Sequence, residues 1–330
     1  MTRPLRWGVL GVSGQVGRLA VLPALQQSPT AELVAVASRD LARARAEAER
    51  FSAATAYGSY RELLLDAAVE AVYIPLPNGL HREWTVAALQ AGKHVLCEKP
   101  LAPSAADAEA MAAAAARQGV FLMEAYMTAF HPRSARILEL ARQALGELRF
   151  AHAAFTFPAR DPSNHRWRPE LGGGSLLDVG VYCLAPLLAI AGREPRAVQA
   201  RAVLSPSGVD ASCAAWLDFG AGFAAACETS FEAPERQHFE VVGTRAALSV
   251  ERAFTPGPAD DQVTLQPVDG PAERLATGAN NPYLAMVEQF AAAVRGQAAP
   301  LRSVADSIAT LRVLDRLRQV AGLATPERPT

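Results

Sequence analysis

The chain has 330 residues, of which half are apolar, and a formal net charge of −1 at pH 7. This length fits two domains of ordinary size, and the balance of acids and bases provides neither a basic surface for nucleic acid nor an acidic tail. No uninterrupted apolar stretch reaches the roughly 18 to 20 residues that a membrane-spanning helix needs. Small neutral or modestly charged molecules are therefore the expected partners.

The cysteines and the first residues of the chain indicate the cellular compartment in which the protein is expected. The four cysteines, Cys97, Cys183, Cys213 and Cys227, show no CxxC spacing. Free thiols in apolar runs usually pack as small hydrophobic side chains, so neither a disulfide framework nor a metal site is predicted. The first residues pass into strand-like sequence without the apolar segment and cleavage site of a secreted protein, which predicts a cytoplasmic protein.

The first part of the chain, residues 1–123, alternates short apolar runs with longer helical stretches. Strands are predicted at 6–10, 32–37, 71–74, 94–97 and 120–123, and helices at 14–28, 41–52, 81–92 and 104–118. This alternation is the pattern of βαβ units and predicts an α/β fold with a doubly wound parallel sheet, a Rossmann domain.

The second part, residues 124–330, opens with a predicted helix over 132–145 and then changes to successive strands. These are expected at 148–157, 197–204, 212–219, 222–231, 238–243 and 247–251, with one or two weak strands in 255–282 and closing helices at 283–295 and 303–321. Strands joined by short turns indicate an open, mainly antiparallel sheet in a second, α+β domain. The last helix is a candidate to pack back onto the first domain.

A glycine-rich turn follows the first predicted strand. Gly11, Gly14 and Gly17 form a GxxGxxG variant of the GxGxxG dinucleotide fingerprint, with Ser13 where the strict middle glycine is expected. Glycines allow the backbone to approach a pyrophosphate, and the following helix presents its N–H groups to the phosphates. Alone this signal is weak, but between a first strand and a first helix it predicts a cofactor site. The candidate contacts are Gly11, Ser13, Gly14, Gln15 and Val16.

The end of the second predicted strand favours NADP over NAD. Ser38 and Arg39 stand there in place of the Asp or Glu that hydrogen-bonds an adenosine ribose and repels a 2′-phosphate. A hydroxyl and a guanidinium suit that phosphate, and Arg43 follows one helical turn later as a second cation. The alternative is an N-capping serine beside a solvated arginine, and Asp40 counts against the phosphate.

Lysine occurs only twice among the 32 basic residues, and Lys99 directly follows the fourth predicted strand and Glu98. An ammonium is a compact cation whose pKa burial can shift, so Lys99 is a catalytic candidate. The alternative is a surface lysine paired with Glu98.

A helix-like segment after Gly172–Gly174 carries Asp178 and Tyr182, which are four residues apart and therefore share a helix face. A cation near a tyrosine stabilises the phenolate, so Lys99, Asp178 and Tyr182 together form an acid–base set for hydride transfer, in which Tyr182 exchanges the proton. The alternative is an aspartate near a helix start and a tyrosine packed at a domain boundary.

These motifs together resemble the Gfo/Idh/MocA family, the glucose-fructose oxidoreductase and inositol dehydrogenase relatives. The likeness covers nearly the whole chain, in the glycine turn, Ser38-Arg39, and the segments 73–81, 97–102, 123–132, 170–184 and 281–296. The GGG-LLD-G-Y form, with tyrosine where many members carry histidine, is most similar to the branch of NADP-dependent D-xylose dehydrogenases and dimeric dihydrodiol dehydrogenases.

The resemblance implies roles for particular residues. The proton-transfer lysine of the family falls on Lys99, its helix aspartate on Asp178 and its tyrosine on Tyr182. Further cofactor contacts are implied at Pro75, Leu76, Asn78, His81, Glu98 and Lys99. As an isolated residue, His81 is more often a helix-cap or core histidine than a catalyst. The resemblance also implies a homodimer or homotetramer built through the second sheet.

The substrate side departs from the family pattern. Thr128 and Ala129 occupy a stretch where relatives of this branch usually place a basic residue, so these positions leave the choice of substrate open. The tract 161–170 adds His165, Arg166, Trp167 and Arg168, which either form an aromatic wall and cations for a polar substrate or merely cover the sheet. The substrate candidates are Trp167, Arg168, Tyr126 and Tyr283. Pro186, four residues after Tyr182, is expected to interrupt the helix hydrogen bonding there.

The leading hypothesis is an NAD(P)-dependent oxidoreductase that transfers hydride between a nicotinamide cofactor and a sugar, polyol or diol. A cofactor-binding sensor without chemistry is one alternative, but it has no use for a proton-transfer set. A glycosidase that uses a transient redox cycle with bound NAD is the other.

Overall fold

The computed structural model describes residues 3–11, 16–257 and 259–324. Contacts divide the chain into two compact units, the first of Met1–Ala102, Ala106–Met127 and Tyr283–Ala305, and the second of Pro103–Ala105, Thr128–Pro282 and Asp306–Thr330. These units differ from the predicted ranges 1–123 and 124–330 because 283–305 joins the first unit, while most of the last helix belongs to the second.

The first unit contains a parallel sheet of six strands, β1 (Leu5–Leu10), β2 (Ala31–Ala37), β3 (Thr55–Tyr57), β4 (Ala71–Ile74), β5 (His94–Glu98) and β6 (Leu122–Ala125). The strand order is β3-β2-β1-β4-β5-β6, and every pair is parallel. The chain therefore reverses its direction of winding between β1 and β4, which confirms the predicted doubly wound sheet.

Helices connect these strands and complete the first unit. They are α1 (Leu22–Gln27), preceded by a π-helical turn at Gly17–Val21, α2 (Leu41–Arg50), α3 (Tyr60–Leu65), α4 (His81–Gln90), α5 (Ala105–Gln118) and α8 (Pro282–Val294). Helix α8 joins the unit through Phe290, whose ring lies 4.8 Å from Trp7 and 5.3 Å from Phe121 between centroids. Strand β3 and helix α3 have three and six residues, too few for a period to stand out in the sequence.

The second unit contains a sheet of eight strands in the order β14-β13-β12-β11-β7-β10-β9-β8. Its strands are β7 (Leu148–Thr156), β8 (Ala197–Leu204), β9 (Asp210–Gly220), β10 (Phe223–Ser230), β11 (Arg236–Gly243), β12 (Ala246–Glu251), β13 (Gln262–Pro267) and β14 (Glu273–Ala276). Its helices are α6 (Pro132–Gln143), α7 (Ser175–Ala191) and α9 (Val304–Val320). The sheet is mainly antiparallel, as predicted, but β7 and β10 pair in parallel.

The two faces of this sheet differ in how they are covered. Helix α7 packs on β7, β9 and β10, and its residues from Ser175 to Ala185 are buried. The opposite face leaves Phe150 59% and Trp216 45% exposed. Pro186 lies inside α7 without ending it, since the helix continues to Ala191.

All four cysteines are buried free thiols. Across the described ranges, no helix combines the length and the apolar character needed to cross a membrane.

Candidate active site

The turn after β5 fixes the backbone around Lys99. The peptide bond between Lys99 and Pro100 is cis. His81 Nδ1 lies 2.8 Å from the Pro100 oxygen, and Glu124 accepts a hydrogen bond from Leu101 N at 2.8 Å. Both holding groups are buried, so their backbone partners are shielded from competing water. Two buried side chains therefore hold the backbone that follows Lys99.

His81 also bridges this turn to the loop after β4, because its Nε2 lies 2.7 Å from the Leu76 oxygen. Burial lowers the pKa of His81, although the two backbone oxygens oppose that effect. Both ring nitrogens of His81 thus lie within hydrogen-bond distance of backbone oxygens. The neighbouring Asn78 is also buried.

Glu98 is a second polar group at the end of β5. Its carboxylate accepts a hydrogen bond from the Tyr73 hydroxyl at 2.7 Å and one from Lys99 N at 3.2 Å. Burial raises the pKa of Glu98, and burial together with this carboxylate raises the pKa of Tyr283. Tyr283, a substrate candidate, therefore lies near Glu98 within the first unit.

A buried ion pair supports the same turn. Arg302 Nε lies 2.6 Å from Glu124 Oε2, and the two side chains are 8% and 1% exposed. The Arg302 guanidinium carbon lies 4.7 Å from the centroid of the Tyr126 ring. Tyr126, another substrate candidate, is thus buried against a cation. The sequence analysis did not single out Arg302, because 178 positions separate it from Glu124.

The glycine turn after β1 is described only at its two ends. Gly11 has a φ of +91°, and a Cβ at this position would lie 2.5 Å from the Leu76 side chain, so glycine is required there. Val16 is 42% exposed, and a Cβ on Gly17 would lie 3.5 Å from Pro75. The predicted contacts Ser13, Gly14 and Gln15 lie outside the described residues.

The end of β2 presents the donors expected for a 2′-phosphate. Ser38 is buried, and its hydroxyl accepts a hydrogen bond from Asp40 N at 3.2 Å, whereas Arg39 and Arg43 are exposed. The Asp40 carboxylate accepts hydrogen bonds from Ala42 N and Arg43 N and so caps α2. These hydrogen bonds compensate part of the Asp40 charge and so reduce its repulsion of a nearby phosphate. A hydroxyl and two guanidinium groups fit the charge of NADP.

Helix α7 carries Asp178 and Tyr182, and a residue from another element fixes its start. Gly174 offers no side-chain cap, but Asp210 Oδ2 on β9 accepts hydrogen bonds from Leu176 N at 2.7 Å and Ser175 Oγ at 2.8 Å. A Cβ on Gly174 would lie 2.2 Å from Asp210 Oδ1. Because Gly174 has no side chain, the Asp210 carboxylate can reach the first N–H groups of α7.

The side chains of Asp178 and Tyr182 both lie in a buried setting. Arg166 Nε donates a hydrogen bond to Asp178 Oδ2 at 2.6 Å. The Tyr182 ring lies 5.3 Å from Phe155 and 6.2 Å from Phe254 between centroids, and the residue is 7% exposed. One turn of α7 therefore presents a paired carboxylate and a phenol among aromatic rings.

The remaining candidates of the 161–170 tract have other partners. Trp167 Nε1 donates a hydrogen bond to the Ala159 oxygen at 3.0 Å, and Arg168 pairs with Glu170 at 2.6 Å on the surface. The structure thus brings Asp178 and Tyr182 together on α7 in the second unit. Lys99 lies in the first unit, and that all three side chains act at one centre stays a prediction.

Two family models match the chain. One, described as "Oxidoreductase family, NAD-binding Rossmann fold", matches residues 5–126, and the other, described as "GFO/IDH/MocA C-terminal domain", matches residues 139–249. The chain belongs to the Gfo/Idh/MocA oxidoreductase family. The resemblance found in the sequence motifs is thereby confirmed.

Named relatives match the chain over almost its full length. D-xylose 1-dehydrogenase (NADP(+)) 2 of Haloferax volcanii is 37% identical and aligns with 96% of this chain and 97% of its own length. A dTDP-3,4-didehydro-2,6-dideoxy-alpha-D-glucose 3-reductase of Streptomyces violaceoruber is 39% identical, with coverages of 97% and 96%. The family member described here is accordingly an NAD(P)-dependent oxidoreductase.

A solved structure agrees with this assignment. The crystal structure of a 3-ketoreductase from Actinomadura kijaniata with NADP and TDP-benzene superposes with a TM-score of 0.91 at 32% identity, covering 96% of this chain and 98% of that one. Structures of the same ketoreductase include a tyrosine-to-phenylalanine variant and a lysine-to-alanine variant.

Proposed function

We propose that this family member is an NADP-dependent sugar oxidoreductase in which Tyr182 is the acid–base residue, assisted by Lys99 and Asp178. The observation that carries the proposal lies on α7, where a buried phenol and a buried carboxylate stand one turn apart in an otherwise apolar helix. A phenol held one helical turn from a carboxylate is suited to exchange a proton with the hydroxyl or carbonyl of a substrate. The tyrosine and lysine variants made in the related ketoreductase support the same residue types.

In the proposed reaction, the substrate carbon loses a hydride while its hydroxyl loses a proton. A bound nicotinamide would supply the acceptor for the hydride and its two electrons. Tyr182, as phenolate, would take the proton from the substrate hydroxyl, which leaves a carbonyl. Carbonyl reduction runs the same steps backwards, with Tyr182 donating. The Lys99 ammonium stabilises the phenolate, and the Asp178 carboxylate orients the substrate or the phenol.

We assign the cofactor to the first unit. The substrate candidates Trp167 and Arg168 belong to the second unit, and Tyr126 and Tyr283 belong to the first. The predicted contacts with NADP are Gly11, Ser13, Gly14, Gln15, Val16, Ser38, Arg39, Arg43, Pro75, Leu76, Asn78, His81, Glu98 and Lys99. Preference for NADP over NAD follows from the donors at the end of β2. Arg39→Ala should raise the KM for NADP at least about tenfold and leave that for NAD within about twofold, because only the former carries a 2′-phosphate. Equal changes with both cofactors contradict this preference.

The substrate class is proposed from the relatives, whose names specify D-xylose and a dTDP-linked keto sugar. A panel of free aldoses, inositols, diols and a dTDP-linked keto sugar, followed at the absorbance of reduced nicotinamide, tests it. Tyr182→Phe should lower kcat by roughly 10²–10⁴-fold, the usual contribution of proton transfer. Turnover that survives both Tyr182→Phe and Lys99→Met contradicts the residue assignment.

The open face of the second sheet is the proposed self-association surface. Strand register places Trp216, Ala226 and His152 side by side, with Phe150 two residues further along the same face. Among these apolar groups, Glu228 pairs with Arg236 at 2.9 Å and with His152 at 3.0 Å. A face that mixes large exposed apolar groups with both signs of charge suits a second copy of the chain.

Light scattering tests this assembly. The unsubstituted chain should have the mass of a dimer or tetramer, and Trp216→Glu should reduce it toward that of a monomer. Val268→Glu is the matched control, since Val268 is 68% exposed in the turn after β13. A monomeric unsubstituted chain contradicts the proposal.

A further inference from the structure

Arg166 is the residue that neutralises the buried charge of Asp178. The Asp178 side chain is 5% exposed and that of Arg166 27% exposed, and their ion pair measures 2.6 Å. A carboxylate removed from water to this degree remains an anion only where a partner compensates its charge. The pKa of Arg166 is raised, first by Asp178 and also by Tyr182. The guanidinium therefore interacts with both Asp178 and Tyr182.

Contacts independent of Asp178 hold Arg166 in this position. Asn164 Oδ1 accepts a hydrogen bond from Arg166 N at 3.1 Å, and the guanidinium carbon lies 5.4 Å from the centroid of the Phe157 ring. The Arg166 oxygen accepts a hydrogen bond from Gly174 N at 2.9 Å, and a Cβ on Gly173 would lie 2.4 Å from that oxygen. The glycine run before α7 thus ties the arginine loop to the start of the helix.

We infer that Arg166 is a positioning residue for the proposed reaction, which holds Asp178 as an oriented carboxylate beside Tyr182. The inference rests on the proposed function, since it presumes that Asp178 and Tyr182 serve catalysis. The inference gives Arg166 a different role from its neighbour Arg168. Arg168 forms an ion pair with Glu170 in which the two side chains are 54% and 48% exposed. Arg166 acts through the carboxylate, whereas Arg168 remains a candidate for direct contact with substrate.

Removal of the Arg166 charge has a specific consequence for Asp178. A buried carboxyl without its cation has a raised pKa, so its ionisation moves toward the pH range of the assay. Among the described residues of the second unit, the titratable and charged groups at this end of α7 include Arg166, Tyr182 and, at the helix start, Asp210 with Arg318. None of these replaces the direct ion pair, because Asp210 has the same charge as Asp178 and Arg318 acts on Asp210.

The test measures kcat between pH 5 and 9, together with the Kd for NADP, in the full-length enzyme. Arg166→Met should lower kcat at least about tenfold while the Kd for NADP stays within about twofold, because the loss lies in orientation at the reacting centre. Its kcat should also rise with pH through an ionisation that the unsubstituted enzyme lacks. Arg166→Lys, which keeps the charge, should recover most of the activity. Arg160→Met, an exposed charge at the start of the same loop, is the matched control.

The combination of Arg166→Met with Asp178→Asn decides whether the arginine acts through the carboxylate. The double variant should be no slower than Asp178→Asn alone and should lack the added ionisation. An Arg166→Met enzyme with unchanged kcat and pH profile overturns the inference and leaves the proposed function standing. Full activity in both Asp178→Asn and Tyr182→Phe overturns the proposed function itself. If Arg166→Met does not fold, the pH profile of Arg166→Gln decides, because this variant also removes the charge, and a profile like that of the unsubstituted enzyme overturns the inference.

Discussion

The two units fix their site-bearing segments with buried carboxylates that are compensated in different ways. In the first unit, Glu124 accepts a hydrogen bond from Leu101 N, two residues after Lys99, and forms an ion pair with Arg302 at 2.6 Å. In the second unit, Asp210 accepts hydrogen bonds from Leu176 N and Ser175 Oγ at the start of α7. The charge of Arg318 also favours the ionised carboxylate, but less than these hydrogen bonds do. One anchor is an ion pair and the other is mainly a set of hydrogen bonds at a helix N-terminus.

The carboxylates of Glu124 and Asp210, each of which anchors a segment of the site, should respond differently to substitution. Removing one member of a buried ion pair leaves an uncompensated charge, which costs far more than the pair contributes. Hydrogen bonds from backbone and hydroxyl donors persist with a neutral acceptor of the same shape, although a charged acceptor makes them stronger. The first unit should therefore be sensitive to the loss of charge, and the second to the loss of an acceptor.

The largest effect is expected at the ion pair. Arg302→Met should lower the free energy of unfolding by about 3–5 kcal/mol, because the Glu124 carboxylate stays buried and loses the counter-charge of Arg302. Urea titration followed by circular dichroism measures this. The double variant Arg302→Met, Glu124→Gln removes both charges and should regain most of the loss. A double variant as unstable as Arg302→Met would show that packing, and not charge, holds this turn.

A smaller effect is expected at the helix anchor. Asp210→Ala should cost about 1–3 kcal/mol, because Leu176 N then lies buried without an acceptor. Asp210→Asn retains an acceptor of nearly the same shape and should lose clearly less, by the same urea titration. Equal losses in the two variants would contradict the view that this anchor depends on hydrogen bonding.

The sequence was sufficient for the architecture and for the residue types of the site. Apolar periodicity predicted most strands and helices to within a few residues, and the spacing of Asp178 and Tyr182 was enough to place them on one helix face. It missed β3 and α3, which are too short to show a period, and the parallel pairing of β7 with β10, since pairing between distant strands leaves no local pattern.

The residues that hold the site in place, Arg302, Asp210 and Arg166, could not be predicted from the sequence for a related reason. Arg302 lies 178 positions from Glu124, and Asp210 lies 34 positions from Leu176, so no spacing rule connects them. Arg166 was noticed as a basic residue near the glycines, but its role depends on a side-chain contact with Asp178. Partners of this kind are determined by tertiary packing, which the pattern of a single sequence does not encode.

The smallest expected effect is a pH dependence that separates the two anchors further. Burial raises the pKa of Asp210, against the hydrogen bonds from Leu176 N and Ser175 Oγ. The folded protein then holds this proton more tightly than the unfolded chain, so the contribution of Asp210 to stability falls as pH rises above about 4, the ordinary range of an aspartate. Asp210→Asn cannot ionise and should lack this part of the slope. Unfolding free energies of the two proteins from pH 4 to 7 should therefore diverge with rising pH in favour of the variant, and a constant difference would show that Asp210 is ionised as easily in the folded chain as in the unfolded one.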